Sequence, residues 1–322
     1  MEEKNCPIRK TSIGGQALIE GVMMRGPKRT AMTVRDPDGN LVVECWENEE
    51  NNRAKFFKLP VVRGVFNFID SMRCGYKCLM RSAEIAGLED LEEDKKEEGG
   101  EKKDSSALMN VLMIVSMVLA VFLAVGLFIA LPSFLYTLLG KWIPFFSPER
   151  RLLRALFEGI LKIVVLVGYL SLVSLMKDIR RTFMYHGAEH KTIFCYESGL
   201  ELTVENVRGQ KRFHPRCGTS FLIIIVIVSI LVSLLIPTEI GAWAVPTYLR
   251  VAIKLLLLPL IMGVGYELIK FAGRYDTIVT RIISAPGVWL QRLTVFEPDD
   301  DMIECAISSM KEVIPNDGSD RW

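Results

Sequence analysis

Between Ser105 and Gly140 the chain carries no charged side chain at all. Within that stretch, Ala107 to Leu131 exceeds the ~20 apolar residues that a helix needs to cross a bilayer, so it predicts a transmembrane helix and rules out an ordinary soluble core. Three further apolar runs follow. Ala155 to Met176 is interrupted by Glu158 and Lys162, one helical turn apart and able to pair with each other. Gly218 to Ile236 is rich in Ile, Val and Leu and stops at Pro237. Val251 to Phe271 holds Lys254 near one end, Glu267 near the other and Pro259 between them, which predicts a kink. The expected fold class is an all-α polytopic membrane protein of four transmembrane helices, with a small mixed α/β module at its N-terminus.

The first hundred residues supply that module. Ala31 to Val34 and Leu41 to Glu44 are β-prone runs joined by Asp36-Pro37-Asp38-Gly39, a hairpin turn sequence. Next, Val62, Val65, Phe66, Ile69, Met72, Tyr76, Leu79 and Ala83 recur at helical spacing, with Arg63, Arg73, Lys77 and Arg81 between them. This is an amphipathic basic helix, to lie on the inner membrane surface or to pack on the hairpin. Cys74 and Cys78 share one face of it and are read as structural. Glu89 to Asp104, nearly all charged or glycine, reads as a solvated linker. The expected organisation is a cytoplasmic module over 1–104, a membrane domain over 105–271 with a His-rich cytoplasmic loop at 177–217, and a cytoplasmic tail over 272–322. In the tail, Ile303, Ala306, Ile307, Met310 and Ile314 follow Asp299 to Asp301 and mark a short helix.

Orientation follows from basic residues in the loops. Lys177, Arg180, Arg181, Lys191, Arg208, Lys211, Arg212 and Arg216 lie between the second and third spans. They outnumber Lys141, Arg150, Arg151, Arg154 and Arg250 on the other side. The expectation is a multi-pass protein of the bacterial cytoplasmic membrane with both termini cytoplasmic. All seven cysteines then fall on the reducing side. The polar stretch from Met1 to Lys10 lacks the apolar core of a cleavable signal, so the mature chain is expected to begin there. With 39 Lys and Arg against 38 Asp and Glu, the net charge of +1 gives no basic footprint for nucleic acid. The bilayer is the expected partner, and the oligomeric state is left open.

The chemistry concentrates on the three histidines, all inside one loop. His186-Gly187-Ala188-Glu189-His190 has the H-x-x-E-H form. On a helix, residues four apart share a face, so both imidazoles can reach one metal ion while Glu189 takes a proton from the attacking water. Gly187, a weak helix former, counts against a regular helix. The third histidine opens His214-Pro215-Arg216-Cys217-Gly218 at the mouth of the third span, and Glu267 lies just inside the same end of the fourth. The expected site is a divalent metal, zinc before manganese or iron, held by His186, His190 and either His214 or Glu267, with Glu189 as catalytic base. Two readings stand beside it: Glu267 paired with Lys270 or Arg274, and a closed structural zinc site of Cys195, Cys217 and His214. Glu158, Lys162 and Lys254 lie toward the outer ends of their spans, where pairing or snorkelling accounts for them. No Walker loop or dinucleotide fingerprint is present.

Gly14-Gly15-Gln16-Ala17-Leu18-Ile19-Glu20-Gly21-Val22-Met23-Met24-Arg25-Gly26 gives the N-terminal region a further motif, to act as a lid or pocket wall through Gln16, Glu20 and Arg25 or as a docking turn. With His186 to Thr192, His214 to Phe221 and Gly265-Tyr266-Glu267-Leu268, it resembles the YqhQ-like family of bacterial membrane proteins across nearly the whole chain. That resemblance implies a metal-dependent enzyme and no particular substrate. The expected function is a metal-dependent membrane hydrolase acting at the cytoplasmic interface on a lipid-linked or peptide substrate. A non-catalytic scaffold with a structural metal and a small-solute or ion transporter are the alternatives.

Overall fold

The computed structural model describes residues 10–48, 54–88, 105–146, 150–237, 239–240, 243–275 and 277–321. The polar start before Lys10 and the charged segment from Glu89 to Asp104 lie outside them. Four antiparallel strands, β1 (Gly14–Leu18), β2 (Gly21–Arg25), β3 (Arg29–Arg35) and β4 (Leu41–Glu47), form a sheet in sequence order. The expected hairpin is β3 and β4, in register from Arg35 opposite Leu41 to Arg29 opposite Glu47. Its turn closes on Asp36, whose carboxylate accepts the Asn40 N–H at 2.7 Å, with Gly39 at a φ of +88°. The glycine-rich motif, expected as a lid or pocket wall or as a docking turn, forms the first hairpin of the same sheet.

Both sheet faces are covered. Side chains alternate along β2, so Val22 and Met24 point one way and Met23 the other. Val22, Met24 and Ala31 pack with Tyr185 and Ala188 of α5 (Lys177–Glu197) and with Met302, Ile303, Ala306 and Met310 of α11 (Asp300–Val313). Leu18, Met23, Met32 and Val34 pack on Cys78 and Cys74 of α1 (Val62–Ile85). The amphipathic helix therefore covers the sheet with its second half. Its first half reaches the membrane domain, where Asn67 donates to the Tyr266 hydroxyl at 2.9 Å. The short helix expected near the C-terminus begins at Asp300 as the acidic run predicts. It belongs to the same core as the N-terminal strands, so β1–β4 and α11 pack together although they stand at opposite ends of the chain.

The protein is a polytopic membrane protein. Among the described residues, three helical stretches are long and apolar enough to cross a bilayer: Val115–Trp142, Arg151–Val173 and Gly218–Leu235. The first comprises α2 (Ser105–Val125), a π-helical turn at Gly126–Ala130 and α3 (Leu131–Trp142), where Pro132 lacks the N–H an α-helix would use. It runs on to Trp142, about three turns past Leu131, where the apolar count placed its end. The others are α4 (Arg151–Val173) and α7 (Gly218–Leu235). The pair α8 (Thr247–Leu256) and α9 (Leu258–Arg274), bent by 46° next to Pro259 as its position predicts, is long and apolar enough only when taken together, which gives up to four crossings. Phe122 is 71% exposed, which suits a lipid-facing helix. One helix was not expected: α10 (Ile278–Thr294) packs beside α7 and presents Ile278, Val279, Ile282 and Trp289 outward.

Candidate metal centre

Two donors come from α5, the helix that leaves the end of α4 and turns under the sheet. It stays regular through Gly187, where a Cβ would sit 2.0 Å from the Phe296 carbonyl oxygen. Only glycine lets α5 press against the segment that leads into α11. Gly187→Ala is expected to cost about 1–3 kcal/mol through overpacking and to shift the imidazoles on either side. Thermal unfolding checks it, and an unchanged midpoint would count against this packing.

His186 and His190 sit one turn apart with ring centroids 4.4 Å from each other. His186 Nδ1 lies 3.0 Å from the Thr294 carbonyl oxygen, and His190 Nδ1 lies 2.6 Å from that of Arg212. A carbonyl only accepts, so each neutral ring carries its hydrogen on Nδ1 and leaves the Nε2 lone pair free. Metal-binding imidazoles are oriented in this way. The third donor is Cys217, whose Sγ is 3.1 Å from His186 Nε2. One donor atom from each of the three lies within 4.8 Å of the other two. Donors on a bound tetrahedral ion stand roughly 3.3–3.7 Å apart, so the group is near that size. Cys217 caps the N-terminus of α7, and its sulfur accepts from the Thr219 hydroxyl at 3.2 Å and the Thr219 N–H at 3.5 Å. Such donors suit a metal-bound sulfur.

Glu189 is buried, with Oε2 3.9 Å from His186 Nε2. Burial pushes its carboxyl above the usual range, while His186 and the Gly15 N–H pull the other way. Gly15 is pressed so close that a Cβ would fall 2.9 Å from Glu189 Cγ and 2.6 Å from the Met23 carbonyl oxygen. Bare backbone of β1 therefore forms one wall of the carboxyl's pocket.

The other expected site residues are placed differently. His214 lies beside the pair, its ring 5.6 Å from that of His190, but its Nε2 faces Glu197 Oε2 at 3.7 Å. Burial brings its pKa down to about 4, which keeps the ring neutral. Glu197 also accepts from Thr11 N–H at 2.8 Å and from Arg216. Burial works to raise its pKa, but those partners outweigh it and hold the carboxyl low. Gln291 of α10 clamps the His214 backbone, accepting its N–H at 2.8 Å and donating to its carbonyl at 2.6 Å.

Glu267 points away to α1, where Arg63 donates Nε at 2.7 Å and Nη2 at 2.5 Å. Its partner is therefore Arg63, neither a metal shared with the histidines, as expected, nor Lys270 or Arg274, as in the alternative reading. Cys195 is also apart from the group: its thiol donates to the Glu201 carbonyl at 3.5 Å, and burial pushes it up to about 11. Glu20 is held by Arg181 and by the Tyr185 hydroxyl at 3.2 Å. Gln16 and Arg25 line a cavity of about 620 Å³, together with Gly15, Arg216, Tyr266 and Lys270. Sequence reasoning passed over Cys217 as the partner of the two histidines, and Gln291 and Thr294 altogether. The one available signal was Cys217 at a helix start in the same loop.

The family described as "Protein of unknown function (DUF1385)" matches residues 59–316. A protein of Bacillus subtilis (strain 168), named "Uncharacterized protein YqhQ", is 36% identical over 303 residues, which cover 94% of this chain and 92% of that one. No solved structure matches.

Proposed function

We propose that this chain, which belongs to the DUF1385 family, is a metal-dependent hydrolase of the bacterial cytoplasmic membrane. His186, His190 and Cys217 hold the ion and Glu189 is the base. The observation that carries this reading is the donor set itself: two imidazoles with Nδ1–H committed to carbonyls, a capped cysteine sulfur beside them, and a buried carboxyl on the same helix. Two nitrogens and one sulfur favour zinc. When bound, such an ion supplies Lewis acidity and activates water for attack near neutral pH. Glu189 takes the proton of the attacking water and passes it to the leaving group, a task that a carboxyl of raised pKa performs well.

Three protein donors suit an open, catalytic site, since a structural site closes with four. Cys195, which a closed site would recruit, is occupied with Glu201. The cavity on the far side of Gly15 supports an amphipathic substrate, lipid-linked or peptide. Arg25 and Lys270 supply its polar lining, while Met23, Tyr266 and Ile269 supply the apolar part. Purified, zinc-loaded wild type and Glu189→Gln, incubated with extracted membrane lipids and with a peptide mixture, test the proposal by mass spectrometry of the products. The variant is expected to hold the same zinc and to lose about 10²–10⁴-fold in rate. Equal rates, or no hydrolysis of either class by wild type, would contradict it.

The 3.1 Å contact between Cys217 and His186 favours one second reading, a thiol nucleophile with its base. A chelator separates the two, because it abolishes a metal-dependent reaction and spares a thiol one.

A further inference from the structure

The membrane domain holds a second polar cluster, toward the end of α4 away from the histidines. Arg154, Glu158 and Lys162 stand on successive turns of α4, and Arg250 and Lys254 one turn apart on α8. All are buried, Arg250 and Glu158 to 2% exposure and Lys162 to 7%. Glu158 serves two of the cations: it accepts from Arg154 Nε at 3.1 Å, from Lys254, and from the Ser133 hydroxyl at 3.0 Å. Lys162 is left with one hydroxyl, Ser229 Oγ at 3.2 Å. Arg250 donates to the Pro237 carbonyl at 2.9 Å, and its buried Nε makes no hydrogen bond.

Among the described residues the charges of this cluster do not balance. Guanidinium groups do not deprotonate in proteins, so Arg154, Arg250 and Lys254 outnumber Glu158 even if Lys162 is neutral. A buried charge inside a span is costly without a counter-charge, and such groups pair or mark a ligand's path. We propose that the cluster binds a phosphate-type oxyanion, from an anionic lipid headgroup or from free phosphate. A tetrahedral, doubly charged oxyanion offers an acceptor to the unbonded Arg250 Nε and balances the excess of two, while Lys162, one turn beyond Glu158 on α4, adds to the positive field that holds it. Arg154 lies within a turn of the helix start at Arg151, ~5 Å along the axis at 1.5 Å per residue, which is the thickness of a headgroup layer.

The test uses the full chain in phosphatidylcholine nanodiscs, with inorganic phosphate added in one arm and phosphatidic acid, whose monoester phosphate can carry two charges, mixed into the discs in the other. The wild-type unfolding midpoint is expected to rise by about 5 °C in at least one arm, and the arm that responds identifies the source. Lys162→Met and Arg250→Met should lose most of that rise, and in plain phosphatidylcholine they should unfold no lower than wild type. An unchanged wild-type midpoint in both arms, a full rise in the variants, or a large drop for Lys162→Met without anion would overturn the proposal. If a variant does not fold, native mass spectrometry of wild type decides. A retained phosphate or phospholipid supports the site, and bare chain from both arms sinks it.

Discussion

Replacing Cys217 with alanine is expected to weaken metal binding at least about 100-fold, since loss of even an indirect partner of a ligand costs 10–100-fold. The sulfur stands 3.1 Å from His186 Nε2 and completes the three-donor group. The fold should survive the change. Losing the cap on Thr219 costs roughly 1 kcal/mol, and the rest of α7 stays seated on α10 and α9. His186→Ala and His190→Ala should behave alike. Cys195→Ala should bind as wild type does, and His214→Ala within about tenfold of it, because that ring is turned to Glu197. Elemental analysis together with competition against a chelator of known affinity reads all five. Full metal content in Cys217→Ala would remove the cysteine from the site.

Glu158→Gln should cost about 3–5 kcal/mol, the penalty for stripping a buried ion pair of one partner. Arg154, Lys254 and Ser133 converge on this carboxylate between α3, α4 and α8, so its loss leaves two buried cations facing each other. A fall of roughly 5–10 °C in the unfolding midpoint is the expected size. The sign separates the members of the cluster. Removing the anion destabilises, whereas removing the under-paired Lys162 does not. A Glu158→Gln protein as stable as wild type would mean that the carboxyl is not the electrostatic centre of the group.

What could be read from the sequence was local in character. The uncharged run at Ser105 to Gly140 announces a span because length and composition suffice, and the hairpin follows from Asp36 to Gly39 because a turn depends on adjacent residues. Helix α10 escaped because Arg281, Pro286 and Arg292 break its apolar pattern, although lipid-facing Ile278, Ile282 and Trp289 give it a surface helix's role. The partner of α11 could not be read, since its apolar face meets strands nearly the whole chain away. At the site, His186 and His190 were legible through the helical period. Cys217 joins them only when the start of α7 docks beside α5. Glu267 was expected to find a partner as a metal ligand or in an ion pair with Lys270 or Arg274, but Arg63 comes from a helix three spans earlier in the chain.

X-ray absorption at the metal edge of the purified, membrane-extracted wild type reads the donor set itself. One zinc per chain is expected, with two nitrogen neighbours at about 2.0–2.1 Å, one sulfur at about 2.3 Å and one further light atom. A spectrum with only oxygen and nitrogen neighbours, with two or more sulfurs, or a protein that carries no stoichiometric metal after purification and reloading would contradict it.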